Sequence, residues 1–124
     1  SRIEGLTKTY GASILASEAT VRAAGDAVAA RELDMVRVRG KQEPVRLFEI
    51  LGPGHERERW QDLIDRTARA LAAYRERDWD TAARLFGEIA EQRPSDKAAK
   101  LFLERCARLR VEQPSDWDPV VSAD

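Results

Sequence analysis

The sequence predicts an α+β fold, because an extended hairpin region is followed by a region of amphipathic helices. Two runs rich in branched and aromatic residues, Val36 to Val38 and Val45 to Phe48, favour extended backbone. The basic, glycine-containing turn Arg39-Gly40-Lys41 joins them. Its two cations and backbone amides suit a polyanion such as a triphosphate. Beyond Gly52 the apolar residues recur at the spacing of a helix instead of a strand.

The change of period also sets the expected domain boundaries. In Gly52-Pro53-Gly54, proline removes a backbone donor and glycine frees the chain, so neither sheet nor helix is expected to continue through it. We therefore divide the chain into residues 1–52, residues 53–112 and a tail of residues 113–124.

The first part begins with residues at helical spacing that end at Gly11, where a left-handed C-terminal residue is favoured. No cap or first turn precedes Arg2, so we expect the chain to begin inside a longer sequence. A short strand is predicted over residues 14–16. Ser17 is the expected N-cap of a helix from Glu18 to Ala24.

The second part is predicted to contain three amphipathic helices. The first carries one apolar stripe, formed by Trp60, Leu63, Ile64, Thr67, Leu71 and Tyr74. Asp78 is the expected N-cap of the second helix, and Pro94 ends it. Ser95 is the expected N-cap of the third helix, which Pro114 ends. Short connections between the three helices favour a small antiparallel array.

The first two of these helices resemble a single tetratricopeptide repeat. The matching positions are Tyr74, Asp78-Trp79, Ala82, Phe86 and Pro94. The alternative is a generic helical hairpin. One repeat does not bury a continuous core alone, so we expect the third helix, the first part or a second chain to cover it. A homodimer and a protein partner bound by the helices are the expected associations.

Composition excludes several classes of protein. The chain has 124 residues and a net charge of −1, which argues against a nucleic-acid-binding protein. The single cysteine excludes an internal disulfide. No apolar run reaches the ~20 residues that span a bilayer, so we expect no membrane segment in this chain and a cytoplasmic location. His55 and Cys106 lack neighbours at metal-ligand or nucleophile–base spacing.

Three motifs, taken together, resemble the C-terminal portion of class III nucleotidyl cyclases. Arg2, Glu4-Gly5-Leu6 and Tyr10-Gly11 are similar to the end of the N-x-x-x-R helix and the E-G-L and Y-G that follow it, with the Asn position falling before Ser1. Residues 13–20 are similar to the family pattern I-L-V/A-S-E-x-T, and residues 32–45 to E-L-D-x-V-x-V-K/R-G-K-x-x-P-V.

The resemblance implies that residues 1–52 close a ferredoxin-like catalytic domain. The tetratricopeptide-like helices of residues 53–112 would then be an extension of that domain. The parent would convert ATP to cyclic AMP and pyrophosphate at a dimer interface with Mg²⁺ or Mn²⁺. The family's two metal-binding aspartates precede this segment, so no metal ligand is predicted here and the chain alone is expected to be inactive.

The same resemblance implies roles for three cations. Arg2 corresponds to the family's transition-state arginine; the alternative is a solvated surface arginine. Arg39 stands where the family commonly has a lysine that reaches the terminal phosphates. Lys41 is a second candidate phosphate contact or simply a charged turn residue. Two alternatives remain for the whole chain: a guanylate cyclase segment, or a non-catalytic helical interaction module with a degenerate cyclase-like segment.

Overall fold

A four-stranded sheet forms one side of the molecule in the computed structural model, which describes residues 3–123. Its strands are β1 (Leu15–Ser17), β2 (Val28–Arg37), β3 (Val45–Pro53) and β4 (Val121–Ser122). Their order in the sheet is β1-β3-β2-β4. β3 runs antiparallel to both β1 and β2, whereas β4 pairs with β2 in parallel. The long β2–β3 hairpin, which the sequence predicts, is therefore the centre of the sheet.

Within residues 3–123, five α-helices accompany the sheet. They are α1 (Thr7–Tyr10), α2 (Glu18–Ala24), α3 (Arg57–Arg75), α4 (Trp79–Gln92) and α5 (Lys97–Glu112). Short 3-10 turns lie at Ile3–Leu6, Gly25–Ala27 and Gly54–Glu56. The mixed α+β class is thus confirmed, and the three helices expected after residue 53 are present.

Most of the helix ends follow the predicted local chemistry. Gly11 ends α1 in the left-handed conformation with φ of 66°. The side chain of Ser17 accepts a hydrogen bond from the Thr20 amide at the start of α2. Asp78 caps α4 by accepting from the amide of Thr81. The expected cap of α5 was wrong: Asp96, and not Ser95, is its N-cap.

The expected break at Gly52-Pro53-Gly54 falls later than the sequence indicates. β3 continues through Gly52, which lies opposite Ala29, and ends at Pro53 opposite Val28. Proline is tolerated at the end of a strand because the ladder needs no further donor there. The chain then turns through Gly54 into α3.

Two β-bulges interrupt the hairpin. Glu32 lies opposite Phe48 and Asp34 lies opposite Leu47, so Leu33 is the extra residue on β2. A second shift, in which Ala29 pairs with Gly52 and Ala30 with Ile50, leaves an extra residue on β3. A bulge changes which face of the sheet the following side chains occupy, and this decides which residues of β2 meet the helices.

The helices pack on the sheet around one continuous core. Leu33, Val36 and Leu47 from the hairpin are buried in the same cluster as Leu71, Phe86 and other residues of α3, α4 and α5. Within that cluster the ring of Phe86 stacks on Phe102 at 4.7 Å between centroids. Burial on this scale is the main favourable term in folding. Of the surfaces expected to cover the helical array, the hairpin region is therefore one that does so.

Residues of the predicted tail also pack on this unit. Trp117 lies against the rings of Tyr74 and Trp79 at centroid distances of 5.2 and 4.8 Å. Val121 and Ser122 form β4 beside Val36 and Arg37 of β2. The segment that follows α5 thus joins the helices to the sheet.

A pair of glycines provides a test of this packing. A Cβ atom at Gly54 would lie 1.6 Å from the backbone oxygen of Asp26, whereas a Cβ at Gly87 within α4 would meet nothing within 4 Å. We expect Gly54→Ala to lower the free energy of unfolding by ~2 kcal/mol through forced displacement of the Gly25–Ala27 turn. Gly87→Ala should raise it by ~0.5–1 kcal/mol, because alanine favours helix.

Urea denaturation followed by circular dichroism would measure both variants against the wild type. Equal effects at the two positions would contradict the close approach of Gly54 to Asp26.

Candidate functional site

The residues with predicted phosphate contacts lie on the exposed turn between β2 and β3. Arg39, Gly40 and Lys41 are all exposed there. Gly40 has φ of 85°, a conformation that glycine adopts at no steric cost. The Lys41 amide donates to the Val38 carbonyl at 3.0 Å, which closes the turn. Arg2, the predicted catalytic residue, lies outside the described residues.

His55 and Cys106 lie in different environments. His55 is exposed and its Nε2 lies 3.9 Å from Glu56. Cys106 is buried, and burial raises the pKa of its thiol to about 11, which suppresses the reactive thiolate. Within residues 3–123, no group of three or more His, Cys, Asp or Glu side chains is placed to hold a metal ion.

A buried ion cluster surrounds Arg31. The guanidinium of Arg31 makes two hydrogen bonds to the Asp96 carboxylate, at 2.9 and 3.0 Å. Its Nε donates to Glu49 at 2.8 Å, and Nη1 also lies 3.4 Å from the Thr67 hydroxyl. The Arg31 side chain is only 3% exposed and that of Asp96 only 1%. Arg31 therefore connects β2 with β3, α3 and the start of α5.

Asp96 has three roles at once. Besides binding Arg31, its Oδ1 accepts from the Ala99 amide as the N-cap of α5. Its Oδ2 accepts from Arg93 Nε at 3.2 Å. A carboxylate at a helix N-terminus is also favoured by the helix dipole. The position of α5 is thus set by the same side chain that neutralises Arg31.

A second buried cluster centres on Asp34, three residues further along β2. Asp34 Oδ2 accepts from the Tyr10 hydroxyl at 2.6 Å and from Arg105 Nη1 at 2.7 Å. Its Oδ1 accepts from the Met35 amide at 2.9 Å. Side chains three residues apart point to opposite faces of a regular strand, yet Arg31 and Asp34 both contact α5 residues or its cap. The Leu33 bulge between them permits this.

The electrostatics of the two clusters favour the ionised forms of Arg31 and Asp96 and the neutral form of Tyr10. Burial lowers the pKa of Arg31, but Asp96 and Glu49 outweigh that effect and raise it. Burial raises the pKa of Asp96, but hydrogen bonding and attraction by Arg31 outweigh it, so that pKa lies below its usual value. Burial and the neighbouring Asp34 raise the pKa of Tyr10 well above its usual value. None of these groups is therefore poised to exchange a proton near neutral pH.

Glu32 of β2 makes a third, more accessible pair of contacts. Glu32 Oε2 accepts from Arg46 Nη1 at 2.6 Å and from Arg75 Nη2 at 2.8 Å. Arg46 lies on β3 and Arg75 in the last turn of α3. The charged residues of β2 thus bind the hairpin to the helices. These contacts position the strand that leads into the Arg39–Lys41 turn.

The sequence reasoning missed these positioning residues. Glu32 and Asp34 lie within the cyclase-like pattern of residues 32–45, which marks them as notable but gives no partner. Arg31 and Asp96 are separated by 65 positions, and Asp34 and Arg105 by 71. A charged residue in a strand that otherwise reads as buried is the one signal that would have indicated a paired ion.

No described helix is both long enough and apolar enough to cross a membrane. No family model matches the chain, and no solved structure matches it.

Two adenylate cyclases are similar to the chain in sequence. It is 29% identical over 111 residues to "Adenylate cyclase, terminal-differentiation specific" of Dictyostelium discoideum, an alignment that covers 86% of this chain. It is 38% identical over 52 residues to "Adenylate cyclase 1" of Rhizobium meliloti (strain 1021), which covers 42% of this chain. The first alignment is too long to be confined to residues 1–52, so it extends into the helices.

The chain spans only 5% and 8% of the lengths of these two relatives. It therefore contains a segment related to adenylate cyclases and corresponds to a small portion of each relative.

The Arg31 cluster predicts a large penalty for removing one partner. We expect Asp96→Asn to lower the free energy of unfolding at pH 7 by ~3 kcal/mol, because it leaves Arg31 buried without its main counter-charge. The pKa of Asp96 is lower in the folded than in the unfolded protein, so its stabilisation is present at neutral pH. That stabilisation is lost as pH falls through the lowered pKa that Asp96 has in the folded protein, so the variant and wild type should converge in acid.

Asp62→Asn is the matched control. Asp62 also accepts from an arginine, Arg66, at 2.9 Å, but its side chain is 68% exposed. Removing an exposed pair costs ~0.5 kcal/mol. Urea titrations at several pH values would compare the two. If Asp96→Asn were as mild as Asp62→Asn, the Arg31 cluster would not hold the sheet to the helices.

Proposed function

We propose that this chain is a C-terminal part of a class III adenylate cyclase, which converts ATP to cyclic AMP and pyrophosphate. The observation that carries the proposal is the sequence similarity to two adenylate cyclases, one of which extends over 86% of the chain. The three motifs of residues 1–52 support the same family. In this proposal residues 1–52 close the catalytic domain, and residues 53–112 are its tetratricopeptide-like extension.

The proposed role of Arg2 is electrostatic. Its guanidinium would neutralise charge that builds on the α-phosphate and the bridging oxygen as the ribose 3′-hydroxyl attacks. A contact of that kind strengthens in the transition state, so its loss lowers kcat more than it raises KM.

Arg39 would contact the terminal phosphates of the nucleotide, and Lys41 is a second candidate contact on the same turn. Both side chains are exposed on a tight turn, which leaves them accessible to a nucleotide. The turn lies at the end of β2, whose residues Arg31, Glu32 and Asp34 are held by the ion clusters. Such anchoring would limit the movement of the turn, and preorganised cations lose less entropy when they bind phosphate.

Catalysis in this family requires Mg²⁺ or Mn²⁺ in the parent protein, and residues 3–123 do not supply a suitable set of ligands. Buried Asp34 and Asp96 are already engaged by arginine. No step is therefore assigned to a metal held by this chain, and we propose that the metal ligands come from the rest of a homodimeric parent.

Two other functions compete with this proposal. A guanylate cyclase would use the same Arg2, Arg39 and Lys41 and would differ in residues outside this chain. A non-catalytic interaction module would use the helices for assembly and keep a degenerate cyclase-like hairpin. Assaying both ATP and GTP separates the first, and lack of turnover with either nucleotide favours the second.

We expect the isolated chain to make no cyclic AMP. Adding the segment encoded before Ser1 in the same reading frame should restore synthesis with Mn²⁺ and ATP, because the metal ligands would then be present. Mass spectrometry of the product measures turnover, with a boiled sample as background. Turnover by the isolated chain would contradict the division of the site.

In the complete protein, Arg2→Ala should lower kcat by ~10²-fold or more.

We expect Arg39→Ala to weaken nucleotide binding in the complete protein, because the turn would contact phosphates already present in the ground state. Arg39→Lys should be nearly silent, since it keeps the positive charge. Arg22→Ala is a control, because Arg22 is an arginine on α2 whose side chain is 78% exposed. Calorimetric titration at low salt provides the affinities. Unchanged affinity in Arg39→Ala would remove this residue from the site.

A further inference from the structure

The segment after α5 is held at the corner between α3 and α4 by one arginine. Arg77 adopts a left-handed conformation, φ of 66°, which is uncommon for a residue with a side chain. Its guanidinium donates to the backbone oxygens of Pro114, Ser115 and Trp117 at 3.2, 3.3 and 3.0 Å. Three bonds from one planar group to successive parts of a loop fix the direction of that loop.

An aromatic cluster anchors the same segment. The ring of Trp117 packs edge-to-face against Tyr74 and Trp79 and lies 5.8 Å from the guanidinium carbon of Arg77. Tyr74 in turn contacts Phe102 of α5 at 5.0 Å. Edge-to-face aromatic pairs of this kind contribute beyond the area that they bury. The segment is therefore seated on the rigid part of the helical array.

From this anchor the segment reaches the end of β2. Val121 pairs with Val36 and Ser122 with Arg37, in parallel. The Ala123 amide donates to the Arg37 carbonyl at 3.0 Å. Arg37 is the last residue of β2, one position before Val38, whose carbonyl accepts the hydrogen bond that closes the Arg39–Lys41 turn.

We infer that residues 114–123 form a strap that positions the β2–β3 turn from the helical array. The strap supplies backbone partners to the last two residues of β2, at the point where the hairpin would otherwise have a free edge before its turn. Release of Trp117 or of the Arg77 contacts frees β4 from β2, and the Arg39–Lys41 turn then loses order. This goes beyond the proposed function, because it concerns the order of the turn whatever the turn binds.

The test is amide hydrogen exchange in the intact chain, measured by NMR under native conditions. Three amides with known acceptors report on three places: Ala123 on the strap, Lys41 on the turn, and Ile50, which donates to Ile14 at 3.0 Å, on the far end of the sheet. The variants are Trp117→Ala, which removes the aromatic anchor, and Arg77→Asn, which removes the guanidinium while asparagine tolerates the left-handed backbone.

Both variants should accelerate exchange at Ala123 and at Lys41 by ~10-fold and leave Ile50 within about twofold of the wild type, because local opening is independent of the rest of the sheet. Arg84→Asn is the matched control. Arg84 lies on α4, its side chain is 63% exposed, and among the described residues it forms a salt bridge with Glu88. Acceleration confined to Ala123, or equal acceleration at all three amides, would overturn the inference.

Discussion

The burial of the Arg31 guanidinium between the hairpin and the helices is the constraint on which the rest of the structure depends. A charged group moved out of water is costly unless it is paired and hydrogen-bonded. Asp96 and Glu49 satisfy that requirement for Arg31. Because Asp96 is also the N-cap of α5, one side chain both neutralises Arg31 and caps that helix. The hairpin and the helical array are consequently a single packed unit.

The Leu33 bulge gives this constraint its second contact. It places Asp34 where it meets Arg105 of α5 and the Tyr10 hydroxyl, although Arg31 already meets the cap of the same helix. Two ion clusters along one strand resist both sliding and rotation of β2 against α5. The strap acts on the same strand at its other end. β2 is thus held along its length, and the turn that follows it inherits the resulting position.

This arrangement bears on the relation to adenylate cyclases. The helices are not an independent appendage to the cyclase-like hairpin, since their side chains complete its core and neutralise its buried charges. The alignment with the Dictyostelium discoideum relative runs through both parts. A substitution in the helices would therefore act on the hairpin through stability and position.

The sequence by itself determined the features that depend on near neighbours. The hairpin, the caps at Ser17 and Asp78, and the left-handed Gly11 follow from residue types within a few positions of one another, and the structure has them as expected. The predicted phosphate contacts Arg39 and Lys41 were likewise placed on an exposed turn, although their role remains a proposal.

The tertiary structure alone decided which distant residues meet. Asp96, and not Ser95, caps α5, and the same side chain binds Arg31, a partner 65 positions away that no local rule identifies. The extra residue Leu33 breaks the alternation on which a face assignment rests. The sequence places Trp117 and β4 in a polar tail. In the structure Trp117 packs on Tyr74 and Trp79, and β4 pairs with the edge of β2. Local preferences select the elements, whereas burial and charge neutralisation across the chain select their partners.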